Sequence, residues 1–345
     1  MDALALNICH VNLARGFSGG ESQTLALIKE HIRLGHKVNV VAKTASPFAE
    51  TCKKLACTVH EVRHYLTGHS KSITQDSAAV HVHEGQAVYW ALLQHILFKT
   101  PYIITRRIDN AFKDKWFSNI AYRKAACIVC VSHAVESVVR AQFPDTSTNV
   151  VNDSPISYPV DENLLSSLCS KYQDKFVVIQ AAKLYKHKGF DVTISAAKRL
   201  AKHTDIHFCL LGDGPELKAL QEQASGLKNV EFLGRQNDMG TWFARADVVV
   251  LPSHTEGMGS VLLEATLAGV PVIGTRAGGI PDAIQHEVNG LLIDVGDAEA
   301  LAHALLRLVS DDQLIHEISV RAPEFIEGFS IQRAAQRYEH VYENL

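Results

Sequence analysis

The sequence predicts an α/β protein of two Rossmann-like domains, each a parallel sheet covered by helices. Three observations predict it. Apolar runs of strand length alternate with helix-period segments along the whole chain. The runs are continuous rather than alternating, as at residues 247–252, which suits strands covered on both faces. The 345 residues also exceed what one hydrophobic core usually carries.

In the first half, strands are expected at residues 4–11, 37–42, 58–62, 79–83, 102–105 and 127–132. Helical stretches at 20–34, 86–98 and 133–143 lie between them. The polar stretch 149–159, with Pro155 and Pro159, reads as a linker. Strands then follow at 176–181, 207–211, 230–233, 247–252, 270–274 and 290–293, with helices at 191–202, 216–224, 258–268 and 299–308. Gly328-Phe329-Ser330 interrupts the last segment before a final helical pattern. The expected domains are 1–158 and 159–329, with 330–345 packing back on the first. They should face each other across a central cleft. Ligands in such sheets bind beyond the carboxyl ends of the strands, so the residues just after each strand matter most.

Composition narrows the class. At 47% hydrophobic and 21% charged, with a net charge of −3, the chain is an ordinary globular protein and a poor candidate for binding nucleic acid. Residues 1–160 hold 17 Lys/Arg against 12 Asp/Glu, and the remainder holds 17 against 25. The basic first half suits an anionic partner or a membrane surface; scattered solvated charge is the plain alternative. The seven scattered cysteines read as free thiols of a reducing compartment. Cys127 and Cys130 point to opposite faces of one strand, so they are core thiols rather than a metal pair. With no signal peptide and no run of about 18 apolar residues, a cytoplasmic location is expected.

The strand at 247–252 delivers Ser253 to Gly257 to its carboxyl end, and Met258-Gly259-Ser260 opens a helix. Glycines at a helix start let free N–H groups approach a phosphate. Glu264, in the second turn, is placed to accept hydrogen bonds from ribose hydroxyls, and Glu256 sits in the loop itself. A solvated loop glutamate and a surface glutamate are the alternative. After the strand at 176–181 comes Lys183-Leu-Tyr-Lys-His-Lys188-Gly189, and Gly212-Asp-Gly-Pro215 follows the strand at 207–211 with Pro215 at a helix start. Gly234 and Arg235 end the strand at 230–233. In the first half, Gly19-Gly20-Glu21 opens a helix with Ser18 as its cap. His83 ends its strand on the same face as His81. Arg106 and Arg107 end the strand at 102–105, either as an anion-binding pair or as a structural Arg–Asp pair with Asp109. The chain has no G-x-G-x-x-G, which argues against a nicotinamide enzyme.

The run Glu256-Gly-Met-Gly-Ser-Val-Leu-Leu-Glu264 resembles the E-x7-E signature of retaining GT-B glycosyltransferases, in particular family 4 (glycosyl transferases group 1). The resemblance extends over essentially the full chain. It implies a retaining hexosyltransferase that moves a sugar from a nucleotide-diphosphate sugar to a hydroxyl. Glu264 would hold the ribose and Glu256 the donor sugar. Lys183 and Lys188 would neutralise the diphosphate, with Lys183 standing where the family usually has Arg. Gly212, Gly257, Met258, Gly259 and Ser260 would complete the donor site, Gly234 and Arg235 would line the base, and Gly19 and Gly20 would face the diphosphate. His83 would contact the transferred sugar, and Glu256, His83 and Lys188 are the expected catalytic residues. Arg106 and Arg107 stand where many members have His and suggest an anionic acceptor. No acidic triplet is present, so neither a metal nor a cofactor is expected. A glycan or glycolipid acceptor, as in lipopolysaccharide synthesis, with peripheral contact at the inner membrane, fits the basic first half. The alternatives are a GT-B-fold sugar-nucleotide epimerase and a non-catalytic protein that binds sugar nucleotides or glycans.

Overall fold

The computed structural model describes residues 5–112 and 115–345, so Leu4, the expected start of the first strand, lies outside the described residues. Contacts divide the chain into two units, residues 1–154 with 330–345, and residues 155–329.

The first unit holds β1 (Asn7–Asn12), β2 (Lys37–Lys43), β3 (Thr58–Val62), β4 (Ala79–Val82), β5 (Tyr102–Arg106), β6 (Cys127–Cys130) and β7 (Thr148–Val150). They form one parallel sheet in the order β3-β2-β1-β4-β5-β6-β7. Its helices are α1 (Gly19–Arg33), α2 (Pro47–Cys52), α3 (Lys71–Thr74), α4 (Gly85–Phe98), α5 (Trp116–Arg123) and α6 (His133–Gln142). The helix starts are chemically specified. Glu21 in the first turn of α1 accepts from both the N–H and the hydroxyl of Ser18. Glu84 caps α4 by accepting from the N–H groups of Gln86 and Ala87, which satisfies donors the helix leaves open.

The second unit holds β8 (Phe176–Ala181), β9 (Ile206–Leu211), β10 (Val230–Gly234), β11 (Val248–Leu251), β12 (Val272–Thr275) and β13 (Leu291–Ile293), parallel in the order β10-β9-β8-β11-β12-β13. Its helices are α7 (Glu162–Lys171), α8 (Phe190–Arg199), α9 (Leu217–Gln223), α10 (Met239–Arg245), α11 (Ser260–Leu267), α12 (Ile280–Ala283), α13 (Ala298–Ser310) and α14 (Asp312–Glu327). The last helix, α15 (Ile331–Glu343), belongs to the first unit and packs on α1.

The apolar runs become strands because both faces are covered. In β11, Val248 and Val250 enter one core with Val178 and Leu305, while Val249 and Leu251 enter another with Ile179 and Leu262. In the first unit, Ile8, Ala79, Ile103 and Cys127 pack beneath Leu27 of α1 and Ala335, Tyr338 and Tyr342 of α15. All seven cysteines are free, and Cys127 and Cys130 are both buried.

Helices α2, α3, α5, α7, α10, α12 and α14 and strand β7 have no counterpart in the sequence reading, and two of them show why. Thr148–Val150, at the start of the stretch read as a linker, pairs with β6 as an edge strand, where one neighbour suffices and polar residues are tolerated. Glu162–Lys171 is a helix whose buried face is little more than Leu168, which hid its period. Pro215 lies two residues ahead of α9 rather than at its start. Among the described residues no helix is long and apolar enough to cross a membrane.

In both sheets the chain reverses direction beside the first strand of the unit, between β1 and β4 and again between β8 and β11. Such switch points are where open α/β sheets take ligands.

Candidate functional site

At the switch point of the second sheet, the segment after β8 meets the segment after β11. Gly189 makes this contact. Its φ is +70°, and a Cβ there would lie 1.8 Å from the carbonyl oxygen of Pro252. No other residue fits both demands. The His254 N–H donates to the His187 carbonyl at 2.8 Å, and Gln180 donates to the Lys188 carbonyl at 2.8 Å. Thr275 bonds the Ser253 carbonyl at 2.6 Å.

This framework brings Lys188 and Glu256 together. Nζ lies 2.5 Å from Oε2, with side chains 20% and 14% exposed. The Ser253 hydroxyl donates to the same carboxylate oxygen at 3.4 Å, and the Glu256 carbonyl accepts the Gly279 N–H. Gly257 and Gly259 are buried, Met258 is 3% exposed, and Ser260 begins α11. Glu264 is partly buried in the second turn of α11, and the Tyr158 hydroxyl donates to its Oε1 at 3.3 Å. Burial pushes its carboxyl up to about 7, against the opposing pull of the Tyr158 bond. Lys183 is exposed. Gly212 approaches the backbone beside it: a Cβ would sit 1.8 Å from the Ala182 carbonyl oxygen. Gly234 and Arg235 are exposed.

The first sheet's switch point has a different character. Gly19 and Gly20 open α1, Gly19 in open space and Gly20 with Arg107 Cδ 4.0 Å from where a Cβ would sit. His83 follows β4 and is 5% exposed. Its Nε2 lies 2.9 Å from Nδ1 of His10, and Nε2 of His10 lies 3.1 Å from Nδ1 of His31. His81, on the same face, bonds the Tyr342 hydroxyl at 2.7 Å and the Thr105 hydroxyl at 2.6 Å. Burial holds all four imidazoles below their usual range, His10 at about 3. His10, His81 and His83 each offer a ring nitrogen within 4.8 Å of the others, the one such group among the described residues that could hold a metal. Both nitrogens of His81 are already engaged with hydroxyls.

The two arginines part company. Arg106 is buried, stacks its guanidinium 3.7 Å above the Phe112 ring and donates to the Asn110 carbonyl. Arg107 pairs with Asp153 at 3.1 Å and donates to the His83 carbonyl at 3.4 Å. Arg107 therefore braces the His83 backbone, while Arg106 is spent inside the unit.

Sequence reasoning missed Tyr158, His10 and His31. Tyr158 is 106 residues from Glu264, beyond any local signal. His10 pairs directly with His81 in the β1–β4 register, so strand alternation with the right pairing reveals it.

Residues 169–325, inside the second unit, match the family described as Glycosyl transferases group 1. The N-acetyl-alpha-D-glucosaminyl L-malate synthase of Bacillus anthracis is 35% identical over 170 residues, 48% of this chain and 45% of that protein. The lipopolysaccharide core biosynthesis glycosyltransferase LpsE of Rhizobium meliloti is 35% identical over 169 residues, 48% of this chain and 49% of that protein. The chain thus spans about half the length of these curated relatives. Among solved structures, Anabaena Alr3699/HepE in complex with UDP-glucose superposes with a TM-score of 0.81 at 20% identity, covering 99% of this chain and 100% of that one. That likeness establishes the fold as GT-B. The likeness to the group 1 glycosyl transferases thus lies in residues 169–325, and the likeness of the whole chain is one of architecture.

Proposed function

We propose that this protein is a retaining, metal-independent family 4 hexosyltransferase that moves a sugar from a nucleotide-diphosphate sugar to a hydroxyl acceptor. The Lys188–Glu256 pair carries the reading. It joins an ammonium suited to a diphosphate and a carboxylate suited to sugar hydroxyls at the second sheet's switch point, in the loop that leads into α11 and its Glu264. The donor nucleotide reading draws support from the UDP-glucose bound by Anabaena HepE. A glycan or glycolipid acceptor in lipopolysaccharide or other surface-polysaccharide synthesis draws support from the relationship to LpsE. We place the protein in the cytoplasm, in peripheral contact with the membrane face through its basic first half.

The bond from the anomeric carbon to the diphosphate breaks, and the acceptor oxygen bonds that carbon on the same face. The acceptor proton passes to the departing diphosphate oxygen, so no enzyme nucleophile is needed. Charge building on the diphosphate is met by Lys183, Lys188 and the N–H groups at the head of α11. Gly212 and residues 257–260 bring backbone close to the phosphates, and Glu264 accepts from the ribose. Glu256 orients the sugar and stabilises positive charge at its ring. Gly19 and Gly20 are the residues we assign to the diphosphate, and His83 the one we assign to the sugar. Of the arginine pair, Arg107 is the better acceptor candidate, since Arg106 is buried.

Glu256→Gln keeps the shape and removes the charge. It should leave donor binding measurable and lower turnover by about 100-fold or more; full turnover would overturn the reading. A thermal-shift panel of UDP, GDP, ADP and their sugars identifies the donor, because a ligand selective for the folded state raises Tm.

A further inference from the structure

His31, His10 and His83 form a row of three buried rings from α1 across β1 to the end of β4. Two hydrogen bonds link them, 3.1 and 2.9 Å long, and each bond needs one proton. Each neutral imidazole also carries one proton. Only two arrangements satisfy both bonds. If His10 is protonated on Nδ1, it donates to His83 Nε2, so His83 must carry its proton on Nδ1; His10 Nε2 then accepts from His31 Nδ1. If His10 is protonated on Nε2, it donates to His31 Nδ1 and accepts from His83 Nε2. Every ring is therefore an Nδ1–H tautomer, or every ring is an Nε2–H tautomer.

The ends of the row are His83 Nδ1 and His31 Nε2, both buried and bonded to no other atom of the described protein. In the first arrangement His83 Nδ1 is a donor; in the second it is an acceptor. Protonating the row would disturb this, and the surroundings oppose it. The His81 ring lies 3.9 Å from that of His83 between ring centres, tilted by 37°, Arg107 holds the His83 carbonyl, and the His36–Glu339 pair and the Tyr342 ring edge border His31. Burial, with the Arg107 guanidinium beside His83 as a lesser cause, holds the imidazoles below their usual range.

We propose that His10 and His31 are positioning residues that tie His83 to a tautomer shared by all three rings, and so set whether its buried Nδ1 is a donor or an acceptor behind the place of the transferred sugar. The proposal rests on the role given to His83 above. Converting one state to the other takes a proton in at His83 Nδ1 and releases one at His31 Nε2, with both internal bonds remade in the opposite sense. The row therefore switches as a unit, and a single-ring flip is forbidden unless a bond is lost.

The direct test is a long-range 1H–15N spectrum of the 15N-histidine-labelled full chain. His10, His31 and His83 should show the same neutral tautomer at pH 7, without titration down to pH 5. Mixed tautomers among the three would overturn the proposal. His10→Phe keeps a ring and deletes both nitrogens; it should change the His83 signature and lower turnover about tenfold, the scale of one lost hydrogen bond. His10→Gln, which accepts on one side and donates on the other, should restore most of that turnover. Unchanged turnover in His10→Phe would remove the positioning role. Should His10→Phe fail to fold, the wild-type spectrum still decides. His83→Asn separates the two readings. If it retains full turnover while the three tautomers agree, the row exists but the assignment of His83 to the sugar falls, and the proposal with it. Zinc retained one-to-one through dialysis, with metal-shifted nitrogens on His10, His81 and His83, would show a metal centre instead and overturn the relay.

Discussion

At the first sheet's switch point, His10, His31, His81 and His83 are buried and neutral, and hydrogen bonds do the organising. At the second, Lys188 and Glu256 form an ion pair near solvent, with Glu264 half-buried on the next helix. The two places are equivalent in topology, yet they respond to acid in opposite directions. A histidine whose folded pKa is depressed gives full stability above its unfolded value near 6.5 and loses it as pH falls below that value. Glu264, raised to about 7, does the reverse: it favours the folded state at low pH, and that advantage is lost as pH rises from about 4.5 to 7. His207 of the second unit is also depressed, by burial, and offsets part of this contrast. The lesson is that one fold supports either polar logic at its switch point, depending on whether strand ends deliver rings that share protons or side chains that hold charge.

The largest effect expected from this contrast is acid sensitivity of the first unit. Four imidazoles unable to protonate in the folded state give a slope of about 5 kcal/mol per pH unit once the unfolded histidines are charged, below about pH 5.5. Denaturant midpoints measured from pH 7.5 to 5 should fall steeply, and a flat profile would break the comparison. Next is Gly189→Ala, which drives a Cβ into the Pro252 carbonyl at a left-handed φ. A loss of about 4 kcal/mol or more and of donor-induced thermal shift is expected, measured by denaturation with and without nucleotide. Glu264→Gln sharpens the contrast from the other side. It should stabilise the free protein at pH 8 by on the order of 2 kcal/mol and have little effect at pH 4, while weakening donor binding. In the wild type, binding that uses the carboxylate should tighten as pH rises through about 7. The smallest effect belongs to Tyr342→Phe, which removes one hydroxyl from His81. A loss of about 1 kcal/mol is expected, read as a drop in Tm of a few degrees.

Strands such as Phe176–Ala181 and Thr58–Val62 are legible to the residue, because continuous apolar runs flanked by turn residues leave little choice. Edges are not: β7 has one neighbour and a polar sequence, and α7 buries too little to show its period. The loop geometry around Gly189 is implied by its glycine, but the contact with Pro252 depends on β8 lying next to β11, which the sequence does not state. The imidazole row is invisible in one dimension for the same reason. His10, His31 and His83 meet only through the β1–β4 pairing and the way α1 lies on the sheet.

The last helix has a consequence for how the chain is made. The first unit is interrupted in sequence, and the Tyr338 and Tyr342 hydroxyls that engage Thr105 and His81 come from its final segment. A ribosome must translate all of residues 155–329 before supplying them, a delay of about ten to thirty seconds at ordinary elongation rates. During that interval the buried polar patch of the first sheet lacks its lid, while the second unit is being completed from contiguous chain. The nascent protein should therefore gain protease resistance in the order second unit, then first.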